Sequence, residues 1–175
     1  MYSKEFLIPA NISIETDGGK VRVSGAKGQL ERTFKLAFGI KIEKTENKVK
    51  ISSELSKREV KAMIGTMIAH IRNMAEGVTN GYTYRMKIVY SHFPMTVKLE
   101  GRKVVTQNFI GERTSRVADI IGDTQVKIDG LDVTITGINL EDVGQTASNI
   151  EQSCRIVGFD KRRFSDGIYL VSGKK

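Results

Sequence analysis

The sequence predicts an α+β protein made of two tandem, duplicated small domains, each an antiparallel sheet packed against one main helix. Runs in which apolar and polar residues alternate, typical of strands that bury one face, fill most of each half. One helical periodicity follows these runs in each half. The same order of runs follows each of the two prolines, Pro9 and Pro94, so the halves look like two copies of one pattern.

The first half contains five alternating runs. Glycine, asparagine and aspartate separate them at 17–19, 25–28 and 46–47, and these residue types favour turns because they tolerate positive φ. The predicted strands therefore centre on residues 12–14, 21–23, 30–34, 40–42 and 49–51.

The first helix follows these strands. Ser56 and Glu59 have the spacing of a capping box, which predicts the helix N-terminus. From Val60 onward, apolar residues recur every three or four positions until Gly77. This spacing predicts an amphipathic helix with one buried face.

The second half repeats this order. Its strands are predicted at 97–99, 104–109, 126–128 and 133–135, and the last of them lies 84 residues after its counterpart at 49–51. Asn139 is then expected to cap a helix whose apolar residues extend to Cys154. The predicted domains are residues 1–81 and 82–175, with Tyr82 to Tyr90 as an extended link between them.

Composition restricts the class of protein. The net charge is +8, and residues 1–90 carry 16 basic and 9 acidic side chains, whereas residues 91–154 carry 6 and 9. A basic balance favours a polyanionic partner such as nucleic acid. No apolar run approaches the ~18 residues of a membrane-spanning helix, so no membrane association is expected. The single cysteine cannot form an internal disulfide, which fits a reducing cytosol.

A search for catalytic or ligand-binding motifs predicts no enzyme, metal, cofactor or small-molecule substrate. His70 and His92 lack neighbours at metal-ligand spacing, and Cys154 falls on the apolar face of the second helix. Gly25 to Gly28 predicts a hairpin turn rather than a phosphate clamp, although Lys27 at its tip has the charge to contact phosphate.

The strongest functional pattern is the C-terminal stretch from Gly158. It interleaves cations with Phe164 and Tyr169, the combination that RNA-binding surfaces use to contact phosphates and bases. The alternative is that both rings pack into the sheet while the cations remain solvated. The cations of this stretch are Lys161, Arg162, Arg163, Lys174 and Lys175.

Several segments together resemble the ribosomal large-subunit protein six family, in its archaeal and eukaryotic branch. The resemblance covers nearly the whole chain, and the Arg163–Tyr169 motif is its most specific part. The matching segments are His70–Met74, Gly77–Thr79, Gly81-Tyr82, Tyr84, Met86, Val89–Pro94, Asn108–Arg113 and Arg163–Tyr169.

The resemblance implies a structural protein that binds large-subunit ribosomal RNA near the factor-binding and sarcin–ricin region, mainly through its second domain. It implies a cytoplasmic, ribosome-bound location and neighbouring ribosomal proteins as partners. The first domain would hold a second RNA segment or face neighbouring proteins and translation factors. The RNA contacts implied are Arg155, Lys161, Arg162, Arg163, Phe164 and Tyr169, with Arg102, Lys103, Arg113 and Arg116 on nearby loops.

Two other functions remain as alternatives. A protein-interaction module would use the basic surface for acidic partners, and its complexes would survive nuclease digestion. A small hydrolase would need a site assembled from scattered residues, because no histidine or cysteine lies in a polar or glycine-rich loop that presents a reacting group.

Overall fold

A computed structural model describes residues 2–173 of the chain, which form two compact units that divide after Gly81. The predicted α+β class and tandem duplication are confirmed. The first unit contains strands β1 (Tyr2–Leu7), β2 (Ser13–Asp17), β3 (Lys20–Gly25), β4 (Gly28–Thr33), β5 (Lys41–Thr45) and β6 (Lys48–Ser53), followed by helix α1 (Arg58–Thr79).

Each unit divides its strands between two sheets, whereas the sequence predicts one. In the first unit the orders are β1-β6-β5 and β2-β3-β4, and all neighbouring strands are antiparallel. Helix α1 packs against both sheets, contacting β1 and β6 of one and β3 and β4 of the other. One apolar helix face therefore closes the core over two short sheets.

The buried face of α1 follows the predicted spacing. Its core residues are Val60, Ile64, Met67, Ile71, Met74 and Val78.

The predicted capping box is wrong. The helix begins two residues later than Ser56, with Lys57 as the extended N-cap residue and no side-chain cap. The carbonyl of Lys57 accepts the first helical hydrogen bond, from the amide of Lys61. Glu59 instead lies in the first turn, where its charge complements the helix dipole.

The β3–β4 turn packs closely on the C-terminal end of α1. A Cβ atom on Gly25 would lie 2.7 Å from Val78 Cγ2 and 2.9 Å from the Val78 carbonyl oxygen, so glycine is required there. The Lys27 amide donates to that same carbonyl at 2.9 Å. The Lys27 ammonium also donates to the Asn80 carbonyl, so this lysine serves the helix end of its own unit.

The second unit repeats the topology. It contains β7 (Tyr82–Val89), β8 (Thr96–Glu100), β9 (Lys103–Gln107), β10 (Arg116–Asp119), β11 (Gln125–Asp129), β12 (Asp132–Gly137), α2 (Leu140–Ser153) and β13 (Gly167–Ser172). The sheet orders are β11-β12-β7-β13 and β10-β9-β8. Strands β7, β12 and β11 thus repeat the pairing of β1, β6 and β5, and β13 is added on the free edge of β7.

Strand β7 differs from the sequence prediction, whereas the predicted cap of α2 is present. The segment from Tyr82 is not a link between domains, because β7 pairs with β12 on one side and β13 on the other. Its residues Tyr82, Met86 and Ile88 are buried in the second core. The Asn139 cap is confirmed, since its side-chain oxygen accepts from the Glu141 amide at 3.2 Å.

Candidate nucleic-acid interface

The basic C-terminal stretch is a loop between two ordered elements. We call residues 154–166 the basic loop; it begins where α2 ends and finishes at β13. Cys154 and Ile156 are buried at its start, and Asp166 is buried at its end, followed by Ile168 in β13. The apolar side chains of Cys154, Ile156 and Ile168 hold both ends of the loop on the core of the second unit.

Arg116 fixes the start of the basic loop. Helix α2 has no basic residue in its last turn, so its terminal carbonyls need a donor from elsewhere in the chain. Arg116 Nη1 donates to the carbonyls of Ser153 at 3.0 Å and Arg155 at 3.2 Å. Its guanidinium also lies 4.6 Å above the ring centroid of Phe109, a distance at which cation and ring attract.

Glu112 holds this guanidinium in place. Its two carboxylate oxygens accept from Arg116 Nε at 2.9 Å and from Nη2 at 2.6 Å, a bidentate ion pair. The hydrogen bond from Arg116 lowers the pKa of Glu112, and the same bond raises the pKa of Arg116. Arg116 is thus engaged with its own unit and stabilises the start of the basic loop.

Asp166 fixes the end of the loop. Its Oδ1 accepts from the Ser91 amide at 3.1 Å and from the Ser91 hydroxyl at 3.0 Å. Because that hydroxyl has one hydrogen and gives it to Asp166, the Nδ1–H of His92 donates to Ser91 Oγ, 2.9 Å away. Serine thus stands between the acid and the imidazole, so no carboxylate orients a base toward a nucleophile. The three residues join two loops.

Aromatic rings cluster on the inner side of the basic loop. Phe164 is half-buried, and its ring centroid lies 4.8 Å from that of His92 and 4.9 Å from that of Phe159. Tyr169 projects from β13, and its hydroxyl donates to the Asp166 carbonyl at 3.4 Å. The pKa of the Tyr169 hydroxyl is raised above its ordinary value, mainly because the group is partly buried. A Cβ on Gly167 would meet the Tyr169 ring at 3.0 Å, so glycine leaves room for that ring.

A cavity of about 340 Å³ opens beside these rings. Four of the predicted RNA contacts line it: Arg155, Lys161, Phe164 and Tyr169. The buried side chains of Cys154, Ile156 and Ile168 give it an apolar base, and the rest of its lining is Ser165 together with Glu151 and Gln152 of α2.

The two rings differ in how far they pack into the core. Phe164 packs against the second core while it lines the cavity. Tyr169 stays 41% exposed on β13. Each ring therefore has a structural anchor and a face that borders the cavity.

The cations of the loop differ in their availability. Within the described residues, the side chains of Arg155, Lys161 and Arg163 have no hydrogen-bond or ion-pair partner. Arg162 pairs with Asp160 through Nε–Oδ1 and Nη2–Oδ2 contacts of 3.1 and 3.0 Å. These hydrogen bonds lower the pKa of Asp160, so that carboxylate offsets the charge of Arg162.

The remaining predicted contacts are dispersed. Arg102 donates to the Gly122 and Ile120 carbonyls of its own unit. Lys103 forms a long, exposed ion pair with Asp119 at 3.9 Å, and Arg113 is exposed. None of these cations lines the cavity. Lys174 and Lys175 lie outside the described residues.

Sequence reasoning did not identify the residues that shape the site. Asp166 lies 75 positions after Ser91 and 74 after His92 in the chain, so no local spacing links it to them. The available signal was the resemblance itself, since the segments Val89–Pro94 and Arg163–Tyr169 contact each other here.

Cys154 is buried, and its thiol contacts Thr106 Oγ1 at 3.6 Å. Residues 2–173 contain no group of three or more metal-ligating side chains. No helix in the described part of the chain is long and apolar enough to cross a membrane.

The tandem α+β units and the cationic, aromatic-lined cavity fit the class of ribosomal proteins built by duplication. The profile of the family described as ribosomal protein L6 matches residues 8–81 and 93–167, one match in each unit. The chain belongs to the ribosomal protein L6 family. Members of this family are structural constituents of the ribosome and not enzymes.

Archaeal relatives match over nearly the whole chain. The "Large ribosomal subunit protein uL6" of Methanosarcina mazei is 48% identical over 94% of this chain and 93% of its own length. The proteins of that name from Ignicoccus hospitalis and Methanocella arvoryzae are 47% and 46% identical, over 94% and 97% of this chain and 91% and 96% of their own lengths. The resemblance to the archaeal branch is therefore confirmed.

Proposed function

We propose that this chain is a structural constituent of the large ribosomal subunit and binds large-subunit ribosomal RNA mainly through its second unit. The observation that carries the proposal is the convergence of Arg155, Lys161, Phe164 and Tyr169 on one cavity. Cations that contact phosphates and rings that contact bases are the two components of RNA recognition, and here they share one surface.

The charge distribution supports the basic loop as the main contact. Residues 91–154 have a net negative charge, with 6 basic and 9 acidic side chains, so most of the second unit repels RNA. Residues 155–175 carry 6 basic and 2 acidic side chains. Phosphate contacts from this short segment supply the affinity, and the fixed positions of its cations select an RNA whose folded backbone matches them.

The predicted contacts take different roles. Arg155, Lys161 and Arg163 contact phosphate directly, and Arg162 joins them when RNA displaces Asp160. Lys103, the first residue of β9, and Arg113 extend the contact on the same unit. Lys174 and Lys175 add positive charge after them in the sequence. Arg102 and Arg116 act chiefly by positioning, because their guanidinium groups bind carbonyls of their own unit.

Neighbouring ribosomal proteins are the second class of partner. Val157, Phe159 and Val171 are 74%, 50% and 67% exposed, unusual values for such apolar side chains. Val157 and Phe159 lie in the basic loop and Val171 lies in β13, so protein contacts flank the RNA contact. We further propose a ribosome-bound, cytoplasmic location near the factor-binding and sarcin–ricin region, with the first unit facing neighbouring proteins, arriving translation factors or a second RNA segment.

Salt dependence of binding to large-subunit ribosomal RNA tests this proposal. The double variant Lys161→Gln/Arg163→Gln should bind more weakly. The log–log slope of affinity against salt should fall by about 0.7–0.9 for each phosphate that the variant no longer neutralises. The matched control is Lys98→Gln/Lys127→Gln, which removes the same charge from exposed positions of the same unit in β8 and β11.

The two double variants are expected to differ, because only Lys161→Gln/Arg163→Gln should lower the slope of affinity against salt. If both lower the slope equally, binding depends on net charge alone and the basic loop is not the contact. If neither changes it, the second unit does not bind RNA in this way. Nuclease digestion of the native particle adds an independent check, because a protein-interaction module would keep its partners after the RNA is removed.

A further inference from the structure

We propose that the cavity under the basic loop receives one unstacked nucleotide of the ribosomal RNA, its base against Phe164 and Tyr169 and its phosphate against Arg155 and Lys161. This inference rests on the proposed function and goes beyond it, because it assigns a single-nucleotide site within a larger RNA surface. Four features of the cavity carry it.

The first feature is size. At about 340 Å³ the cavity lies at the lower end of the ~300–1,000 Å³ range of small-ligand sites. A duplex cannot enter such a space. A single base turned out of its stack is the RNA element of matching size, and loops and bulges present such bases to proteins.

The second feature is the chemistry of the interior. The base of the cavity is formed by Ile156 and Ile168, which are 7% and 1% exposed, and the rings of Phe164 and Tyr169 border it. Bases of single-stranded RNA stack on aromatic rings. An apolar interior with two rings therefore suits a flat heterocycle and offers little to a phosphate alone.

The third feature is the pair of free cations at the opening. Arg155 and Lys161 are exposed, and neither side chain has an ionic partner among the described residues. Arg162, which Asp160 neutralises, does not line the cavity. Two unpaired cations beside an apolar interior match a ligand with a negative end and an apolar end, as a nucleotide has.

The fourth feature is a carboxylate. Glu151 of α2 also lines the cavity, which would weaken binding of a bare anion. A carboxylate instead accepts hydrogen bonds from base amino and imino groups. Guanine presents two adjacent donors on its Watson–Crick edge, cytosine and adenine present one amino group, and uracil presents only an imino group. The cavity should therefore prefer guanine and bind uracil least.

The test uses the full chain with isoleucine methyl groups labelled for NMR, titrated with each of the four nucleoside 5′-monophosphates. GMP should shift the methyl signals of Ile156 and Ile168 saturably and with the lowest Kd, and UMP should have the highest. Ribose 5-phosphate and inorganic phosphate at equal concentration should leave these signals unmoved. Equal shifts from phosphate alone would overturn the proposal, because the site would then bind anions only.

Two variants and one control identify the groups responsible. Tyr169→Ala should weaken GMP binding at least about five-fold, the equivalent of ~1 kcal/mol of stacking. Lys161→Gln removes the cation at an exposed position and should weaken it without disturbing the core. Tyr90→Ala is the matched control, because Tyr90 is 42% exposed in the same unit and does not line the cavity. A GMP Kd unchanged in the first two variants overturns the proposal.

Parallel binding of the wild-type chain to large-subunit ribosomal RNA separates the two proposals. If RNA binds but no nucleotide moves the isoleucine signals, the nucleotide site is wrong while the ribosomal function stands. If a peptide rich in apolar residues fills the cavity instead, a neighbouring protein is the occupant and the nucleotide site is again wrong. If the wild type binds no ribosomal RNA, the proposed function itself fails.

Discussion

Replacing Arg116 with alanine should destabilise the second unit by about 2–3.5 kcal/mol. The fork of hydrogen bonds to the Ser153 and Arg155 carbonyls comes from one charged nitrogen, so it counts as one charge-assisted contact of about 1.5 kcal/mol. The ring contact with Phe109 adds about 0.5–1 kcal/mol. The ion pair with Glu112 adds at most about 1 kcal/mol, since its side chains are 26% and 39% exposed.

Urea unfolding of the full chain, followed by circular dichroism, measures this change. Arg113→Ala is the control, because it removes the same side chain three residues away at an exposed position. Arg116→Lys should fall between the wild type and the alanine variant, since it keeps a charge but cannot form the bidentate pair. If Arg116→Ala and Arg113→Ala unfold at the same urea concentration, the guanidinium does not support the end of α2 and the reasoning is refuted.

The pH dependence gives a second check on the same contact. The pKa of Glu112 is lowered in the folded chain, so its stabilising effect is present above its unfolded value near 4.5 and is lost as pH falls through the folded value. The difference in stability between the wild type and Arg116→Ala should therefore shrink below about pH 4.5. The ring and carbonyl contacts should keep it above zero.

Two further predictions concern the helices. Asn139→Ala removes the side-chain acceptor for the Glu141 amide and should cost about 1 kcal/mol in urea unfolding, whereas Asn139→Asp should cost little; equal losses would show that the cap is unimportant. Met67→Asp places an unpaired charge in the first core and should abolish cooperative unfolding of that unit; an unchanged melting curve would show that this face of α1 is not buried.

Local signals in the sequence predicted most elements of the fold. Alternation located β2 to β6 and β8, β9, β11 and β12, and helical spacing located both helices. The strand β1 was missed because Lys4 and Glu5 interrupt the alternation of an edge strand that is mostly exposed. The role of β7 was missed because its two partners, β12 and β13, are distant in the chain.

The candidate site shows the same limit. Composition and charge indicated the basic stretch, and the resemblance named Arg155, Lys161, Phe164 and Tyr169 among ten residues. The cavity that unites these four depends on β13 pairing with β7, which is distant in the chain, and on α2 packing against β13. The partners of Arg102, Arg116 and Arg162 are likewise a matter of three-dimensional position, and no sequence spacing separates these cations from free ones.

The pairing of β13 with β7 limits the conformational freedom of the segment that carries the preceding cations. A basic tail with one free end samples many conformations, and binding RNA must restrict them at a cost on the order of 1–2 kcal/mol per residue ordered. With its far end secured in a sheet, the segment loses that freedom when the chain folds, before any RNA arrives. A chain that ended just before β13 would keep Arg155, Lys161 and Arg163 and yet bind with lower affinity. It would lose the contacts of Tyr169, Lys174 and Lys175, and in addition the entropy of ordering the remaining cations would fall on the binding step.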